Sequence, residues 1–296
     1  MSAKLSMAQP LSLSEVKVKL QTRIIGHPLV YFRELASTNQ MAKLLAEHGL
    51  REGTVIIAEK QIKGRGRLNR EWVSPPKGLW FSVILRPRVQ ARHLPKLTLL
   101  ASVAVAKTLR RLYGLKAEIK WPNDVLVNGR KVCGVLTEAE TKGESAEFAV
   151  VGIGVNANFD LLALPKSLES SSTTLRHELK REVRREALLS SLLEEMESLY
   201  ELFSAERFDQ LLNEWRSLAG MLGASVEIKV DEENVQGQAV DIDQDGALIL
   251  RLKDGVTRTV AFGDLTVLKP AISKQGSTRS YCIEFLSPNP NPTERI

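Results

Sequence analysis

The chain has 296 residues, enough for one large domain plus a smaller one with a substantial core. A hydrophobic fraction of 43% and a charged fraction of 26% are ordinary for a soluble globular protein and exclude a fibrous or low-complexity chain. The formal net charge of +6 suits anionic ligands, but 41 Lys and Arg against 35 Asp and Glu is mostly mixed charge and does not require nucleic acid.

Two cysteines, Cys133 and Cys282, lie far apart and form neither a metal spacing nor a disulfide framework. A reducing cytoplasm is the expected compartment. The N-terminus has no apolar stretch behind basic residues, so no signal peptide is expected. The longest apolar run, near Leu97 to Ala106, is too short to span a bilayer, and no membrane association is expected.

Residues 1–20 read as an N-terminal extension, polar at first and then amphipathic through Val16, Val18 and Leu20. They are too short for a helix-turn-helix domain that reads DNA. Residues 28–33 look like a strand, and Ser37-Thr38-Asn39 before Met41, Leu44 and Leu45 reads as a helix start, with Gly49 as its stop. Thr54 to Ala58 is a short apolar strand, and a glycine- and arginine-rich loop runs from Lys60 to Arg70. Leu79 to Leu85 is a strand closed by Pro87, and Leu97 to Leu112 a largely buried helix stopped by Gly114. Glu118 to Trp121 and Asp124 to Val127 read as short strands. Asn128-Gly129 is a hairpin turn signal, with Lys131 to Glu138 as the returning strand and Glu147 to Val155 pairing next.

From about Leu179 to Leu218 the pattern is helical, with Glu178/Arg181 and Glu182/Arg185 as i,i+3 partners on a solvated face. After Gly220 the texture changes to short alternating segments (Val226 to Val230, Ala247 to Leu252, Arg258 to Phe262) separated by Asp-Gly turns, which reads as a small all-β barrel. Residues 271–296 are polar and proline-bearing, as in a disordered tail. The expected organisation is an extension at 1–20, a catalytic domain at 21–219, a small β domain at 220–270 and a tail at 271–296.

The 60–70 loop holds Lys60, Lys63, Arg65, Arg67 and Arg70 and no acid, with Gly64 and Gly66 alternating with two arginines. Glycines let backbone N–H groups approach a ligand, and guanidinium forks bind phosphate or carboxylate oxygens. The loop is neither a Walker loop nor a dinucleotide fingerprint. Taken alone it fits a phosphate clamp and a mobile basic surface loop equally well. Lys120-Trp121-Pro122-Asn123-Asp124 puts proline in a strand-like region, which marks an edge, bulge or strand end. Asn123 and Asp124 there are either site residues or turn caps. Lys131 opens an apolar strand in which Gly134 allows something to approach the backbone, although a lysine there could simply snorkel outward. Gly152 and Gly154 leave one face of a strand bare for a flat ligand or another backbone, and Asn156 follows at the strand end, where a turn cap is the alternative.

These residues resemble the biotin protein ligases. The likeness runs from about Ile24 to Leu268 and rests on Ser37-Thr38-Asn39, Gly64-Arg65-Gly66-Arg67 with Arg70 and Trp72, Lys120 to Asp124, Lys131 with Gly134, and Gly152 to Asn156. The resemblance implies an α+β fold. Its catalytic domain has a mixed β-sheet flanked by helices, related to class II aminoacyl-tRNA synthetases, and is followed by a C-terminal SH3-like β-barrel. It implies ATP and biotin as substrates with Mg²⁺, formation of biotinyl-5′-AMP with release of pyrophosphate, and transfer of biotin to a lysine of a biotin carboxyl carrier protein or domain of a biotin-dependent carboxylase such as acetyl-CoA carboxylase.

By resemblance, Ser37, Thr38, Asn39 and Gln61 bind the biotin ring, while Gly64, Arg65 and Gly134 line its pocket. Arg65, Arg67 and Lys131 face the carboxylate and phosphates. Arg70, Trp72, Asn123 and Asn156 lie on the nucleotide side, and Asp124 is placed near the metal or the incoming lysine. Arg65, Lys131 and Asp124 are the expected catalytic residues. No protein metal site is expected apart from Asp124, since Mg²⁺ is carried mainly by phosphates.

A lysine amine has a pKa of about 10.4, so deprotonation at neutral pH costs roughly 4–5 kcal/mol, which a neighbouring carboxylate such as Asp124 offsets in part. Gly64 and Gly66 would let the basic loop order as a lid that protects a hydrolysable adenylate. Three positions depart from the family pattern: Asn69 and Lys77 stand where glycine is common, and Cys133 where a smaller residue is. No N-terminal DNA-binding domain is expected, so repression and nucleic-acid binding are not. Homodimers are common in the family. The rival readings are a lipoate or octanoate ligase, a non-catalytic biotin or nucleotide sensor, and a basic nucleic-acid-binding protein, the last of which would show steep salt dependence.

Overall fold

The computed structural model describes residues 10–230 and 233–268; the expected tail at 271–296, with Cys282, lies outside the described residues. The chain begins with α1 (Leu13–Lys19), β1 (Leu29–Leu35), α2 (Thr38–Glu47), β2 (Val55–Gln61) and β3 (Leu79–Leu85). Then come α3 (Lys96–Tyr113), β4 (Ala117–Lys120), β5 (Asp124–Val127), β6 (Arg130–Lys142) and β7 (Ser145–Val155). Helices follow as α4 (Lys166–Glu169), α5 (Leu175–Leu179), α6 (Arg185–Ser204) and α7 (Phe208–Leu218). The last segment is all β: β8 (Ser225–Val230), β9 (Glu233–Ile242), β10 (Leu248–Arg251), β11 (Thr257–Val260) and β12 (Asp264–Val267).

The first seven strands form one mixed sheet in the order β1-β2-β3-β7-β6-β5-β4. β1 and β2 run parallel and the other neighbours antiparallel. Side chains alternate across a strand, and the two faces bury different partners. Val55, Ile57, Val83, Leu85, Ala149 and Val151 face the main core with α1, α3, α6 and α7, whereas Ile56, Ile84, Phe148 and Val150 pack under Ala42 and Ala46 of α2. This second face is the one that becomes the site. Along β7 it reads Val150, Gly152, Gly154, and across the ladder on β6 it reads Glu138, Leu136, Gly134. The apolar floor under α2 therefore gives way to glycine just beyond the start of that helix.

Local chemistry explains the stops. Gly114 ends α3 in the left-handed conformation (φ 66°) and donates its N–H to Arg110 O. Asn128 and Gly129 have φ of 51° and 72°, the two positive values that a tight hairpin between β5 and β6 requires.

The helical run expected from Leu179 to Leu218 is broken into α5, α6 and α7, and the acids of the expected i,i+3 pairs find other partners among the described residues. Glu178 turns inward to Asn128 and Arg130 (both 2.6 Å), and Glu182 pairs with Lys77 (3.1 Å). Arg185 is buried and grips Glu59 through two nitrogens (2.7 and 3.1 Å). These non-local pairs accompany a break in the helix, with Lys180 in the left-handed conformation (φ 57°) and 182–184 outside any helix.

The expected barrel appears as a five-stranded antiparallel sheet, ordered β11-β10-β9-β8-β12, with β11 and β12 as its edges. It is fixed against the larger sheet by specific contacts. The fully buried Lys96 of α3 donates to Asp245 Oδ1 (2.9 Å), lies 2.9 Å from His93 Nδ1 and sits over the Phe208 ring. Burial, then the neighbouring Lys96 and Arg92 charges, holds the His93 pKa below its ordinary value. Trp121 Nε1 donates to Gly246 O (3.0 Å) and Arg216 to Asp241 (2.7 Å).

Candidate active site

A cavity of about 540 Å³ opens on the α2 face, at the glycine end of β6 and β7. That is within the ordinary range for a small-molecule site. Its walls come from the start of α2, Gln61 with the basic loop, the β4–β5 turn with β6, the 152–156 end of β7, the segment 164–172, and β12 of the smaller sheet.

One end is neutral and polar. Ser37 is the N-cap residue of α2, but its side chain makes no capping hydrogen bond, which leaves the hydroxyl for another partner. Thr38 donates from both N–H (2.8 Å) and Oγ1 (3.1 Å) to Gln61 Oε1, and Gln61 Nε2 donates to Ser74 (2.8 Å). Asn39 is fully engaged: its amide nitrogen donates to Leu136 O (3.1 Å) and Glu138 (2.8 Å), and its oxygen lies 2.6 Å from the Ser82 hydroxyl. Asn39 therefore acts on the site through the backbone and carboxylate it holds.

The floor is built by glycines, and its bare face is filled from within. A Cβ on Gly152 would stand 2.0 Å from Asn39 Oδ1, and one on Gly154 would stand 2.4 Å from Trp72 Nε1. Gly134 is likewise covered by the Trp72 ring (2.9 Å) and Lys131 (3.2 Å). The glycines seat the pocket's own walls, where the sequence had left ligand or backbone open. Trp72 packs edge-on against Trp80, carries the Lys131 ammonium 4.9 Å from its ring centre, and has a buried indole N–H without a hydrogen-bond partner among the described residues. A buried donor without a partner is costly and is a place for a ligand acceptor.

The other end is cationic. Asp124 is buried, with Lys131 Nζ at 2.6 Å and Lys120 Nζ at 3.4 Å. The Lys131 contact is an ion pair without hydrogen-bond directionality at Oδ1. Arg65 faces Glu138 at 3.4 Å. Arg67 donates to Asn123 Oδ1 (3.4 Å) and Gly263 O (3.2 Å). Burial lowers its pKa, opposed by the nearby charges of Asp264 and Asp124. Arg70 pairs with Asp264. Asn123 also donates to Val135 O (2.8 Å). Asn156 donates to Thr173 O (3.0 Å) and Lys131 O (3.4 Å), fixing the backbone beside the lysine. Cys133 is buried behind the floor, and burial pushes its thiol pKa up, which leaves it a packing residue with no thiolate to offer.

Of the candidate residues, Ser37, Thr38, Asn39, Gln61, Arg65, Arg67, Arg70, Trp72, Asn123, Asp124, Lys131, Gly134 and Asn156 are brought together around this one cavity. Gly64 is not among its walls. Its Cβ would meet Trp72 O at 2.2 Å, so it closes the basic loop on itself. That loop is a small hairpin here, with Trp72 N–H to Gly64 O (2.9 Å) and Gly66 N–H to Arg70 O (2.8 Å). Lys120, Leu164, Leu168, Ser171, Ser172 and Asp264 were missed as wall residues, and Glu138, which holds Asn39 and Arg65, was missed as a supporting residue. Lys120 lay inside a quoted motif and Glu138 in a quoted strand. Asp264 belongs to a distant segment with no motif.

A profile of the biotin/lipoate A/B protein ligase family matches residues 31–156, and one of the biotin protein ligase C-terminal domain matches residues 221–265. The chain is 34% identical over 249 residues to the bifunctional ligase/repressor BirA of Bacillus subtilis (strain 168), covering 84% of this chain and 77% of that one. It is 34% identical over 222 residues to the biotin--[acetyl-CoA-carboxylase] ligase of Paracoccus denitrificans, covering 73% and 90%. The chain belongs to the biotin protein ligase family. A biotin protein ligase from Aquifex aeolicus, solved in complex with biotin and ATP, is similar in fold with a TM-score of 0.71 at 28% identity, covering 81% of this chain and 99% of that one. Within this ligase family the five-stranded sheet is the C-terminal element that the second profile describes. No described helix is long and apolar enough to cross a membrane.

Proposed function

We infer that the chain is an ATP-dependent biotin protein ligase that forms biotinyl-5′-AMP from biotin and ATP and then transfers biotin to a lysine of a biotin carboxyl carrier protein or domain. The observation that carries this reading is one cavity joining a neutral hydrogen-bonding end at Ser37, Thr38 and Gln61 to a cationic end at Arg67, Lys120 and Lys131, with Asp124 buried between the lysines. A ureido ring needs fixed neutral donors and acceptors. A carboxylate brought up to a triphosphate needs fixed cations, because like charges oppose the approach.

In the first step a biotin carboxylate oxygen attacks the α-phosphorus, the new O–P bond forms, and pyrophosphate leaves with the electron pair of the broken bond. Lys131 and Arg67 are the cations nearest that charge, with Arg65 on the carboxylate side. In the second step the acceptor amine attacks the acyl carbon and AMP leaves, while the amine proton passes to a base, for which Asp124 is the candidate. Mg²⁺ enters as Mg·ATP and supplies neutralisation of the phosphates when bound. Among the described residues no group of three or more His, Cys, Asp or Glu could hold a metal, and Asp124, Glu138 and Asp264 already face cations, so phosphate oxygens are its expected ligands. The work divides between a catalytic part at 21–219 and a C-terminal part at 220–270, and takes place in the cytoplasm.

The test is to incubate the chain with biotin, Mg·ATP and a carrier domain and to follow biotinyl-AMP and labelled lysine separately. Labelling with biotin but not lipoate is expected. A preparation that forms neither product overturns the reading, and biotin binding without pyrophosphate release would make the protein a sensor. Arg65→Ala and Lys131→Ala should each lower adenylation; no change in either would remove them from the phosphate side.

A further inference from the structure

Glu138 is an acid with no part in the steps above, and it stands where an anionic substrate makes its charge unfavourable. It lies on the site face of β6, in line with Gly134 and Leu136 and opposite Val150 of β7. Arg65 is a wall of the cavity, and Glu138 backs it: its Oε1 is 3.4 Å from Arg65 Nη1. Arg65 is its only ion-pair partner among the described residues, since Lys43 of α2 pairs with Glu140 instead.

Asn39 fixes the same carboxylate from the other side. Its amide nitrogen donates to Glu138 Oε2 (2.8 Å) and to Leu136 O (3.1 Å), and its Oδ1 lies 2.6 Å from the hydroxyl of the fully buried Ser82. A reversed amide would set its oxygen against a carboxylate and a carbonyl, so the donor side faces Glu138. Asn39 is itself buried and seated over Gly152, where a Cβ would stand 2.0 Å from its Oδ1. One oxygen of Glu138 is thus tied to a rigid amide, and the other is left to the guanidinium. A pair anchored in this way loses less to side-chain entropy than a free surface pair.

We propose that Glu138 is a positioning residue for adenylation: it offsets the charge of Arg65, so that the guanidinium orients the biotin carboxylate without holding its charge in place. The proposal rests on the ligase reading and deepens it. As the carboxylate oxygen forms its bond to the α-phosphorus, negative charge leaves the carboxylate and appears on the departing pyrophosphate. An uncompensated cation at the carboxylate therefore stabilises the ground state more than the transition state, and only interactions stronger in the transition state speed the step. Glu138 removes that ground-state excess and keeps the geometry of the Arg65 fork.

The experiment uses the whole chain with two variants. Glu138→Gln keeps the shape and the acceptor for Asn39 and removes the charge, whereas Glu138→Asp keeps the charge. Calorimetry measures binding of biotin and of biotin amide, which has the ring without the carboxylate. Biotin-dependent pyrophosphate exchange with Mg·ATP measures adenylation. Glu138→Gln should bind biotin about three- to fivefold more tightly and biotin amide as wild type does, a size set by a partly exposed ion pair. Its kcat and its KM for biotin should fall together by that factor, leaving kcat/KM within about twofold of wild type. Glu138→Asp should lie nearer wild type than Glu138→Gln in both measurements. Unchanged or weaker biotin binding in Glu138→Gln overturns the proposal, as does an equal gain for the amide or a Glu138→Asp variant that behaves like Glu138→Gln. A Glu138→Gln protein that melts below wild type and loses biotin and biotin amide alike assigns Glu138 to structure and also overturns it. The calorimetric arm needs no turnover. A wild type that binds biotin but makes no adenylate would overturn the ligase reading, while the binding comparison still decides whether Glu138 offsets Arg65.

Discussion

The glycine floor makes a demand that can be measured. Replacing Gly154 by alanine places a Cβ 2.4 Å from Trp72 Nε1 and 2.8 Å from Cε2, closer than real contacts allow. The indole has little room to yield. It is boxed by Gly134 below, the Lys131 ammonium over its face and Trp80 at its edge. Overpacking a fitted site of this kind costs about 1–3 kcal/mol. For a chain of this size each kcal/mol lowers the melting temperature by roughly 2–4 °C, so a fall of about 2–12 °C is expected. Moving the indole also moves Lys131, so kcat/KM for adenylation should fall by at least about tenfold, or some 1.4 kcal/mol of transition-state stabilisation. Gly66→Ala is the control, because the nearest atom to its Cβ would be 3.5 Å away. Thermal melting with pyrophosphate exchange reads both effects. If Gly154→Ala melts and adenylates like wild type, or if Gly66→Ala is equally damaging, the seating of Trp72 by glycine is wrong.

Asp124→Asn should leave adenylation within a few-fold and slow transfer from preformed biotinyl-AMP by about 10²–10⁴, the usual contribution of a general base; equal losses in both steps would assign Asp124 to charge neutralisation instead. Lys77 stands at φ 72° where the sequence already departed from glycine, so Lys77→Gly should relieve strain of about 1–2 kcal/mol and return part of it as unfolded-state entropy. A small gain in denaturation midpoint is expected, and a clear loss would refute the strain. Glu197 accepts from the N–H groups of Arg23, Ile24 and Ile25 (2.6–2.8 Å), and these bonds outweigh burial, which acts in the opposite sense, to hold its pKa below 4.5. A depressed carboxylate contributes stability that is present above its unfolded pKa and lost as pH falls through the folded one. Wild type should therefore lose stability as the pH drops below about 4.5, and Glu197→Gln should be less stable at neutral pH with a flatter acid limb in denaturant titrations. Asp264→Asn should raise the KM for ATP with little effect on that for biotin, since it frees Arg70 while the neutral end of the cavity is untouched.

What the sequence made legible follows the range of the interaction involved. Alternation and turn chemistry are local, so the strands at 79–85 and 124–127, the Asn128-Gly129 hairpin and the helix stop at Gly114 could be read directly. The bare face at Gly152 and Gly154 could be read too, but not its filling, because Asn39 arrives from α2 and Trp72 from the basic loop, both far away in sequence. Gly64 and Gly66 look alike in a motif and differ in the fold: one has a carbonyl 2.2 Å from its absent Cβ and the other has only an ordinary contact at 3.5 Å. The misread stretch was 178–185. There the i,i+3 spacing of acids and bases fits a helix face, but a buried carboxylate–guanidinium pair with further hydrogen bonds outweighs an exposed helical pair of about 0.2–0.5 kcal/mol. Glu59 supplies that partner, accepting from Arg185, Tyr31 and the N–H groups of Leu11 and Lys77. The same reasoning covers the cation end of the site. Asp264 carries no motif and sits about 190 residues from Arg70, yet it is the charge that ties the basic loop to the C-terminal sheet, and only the packing of Lys96, Trp121 and Arg216 against that sheet brings it within reach.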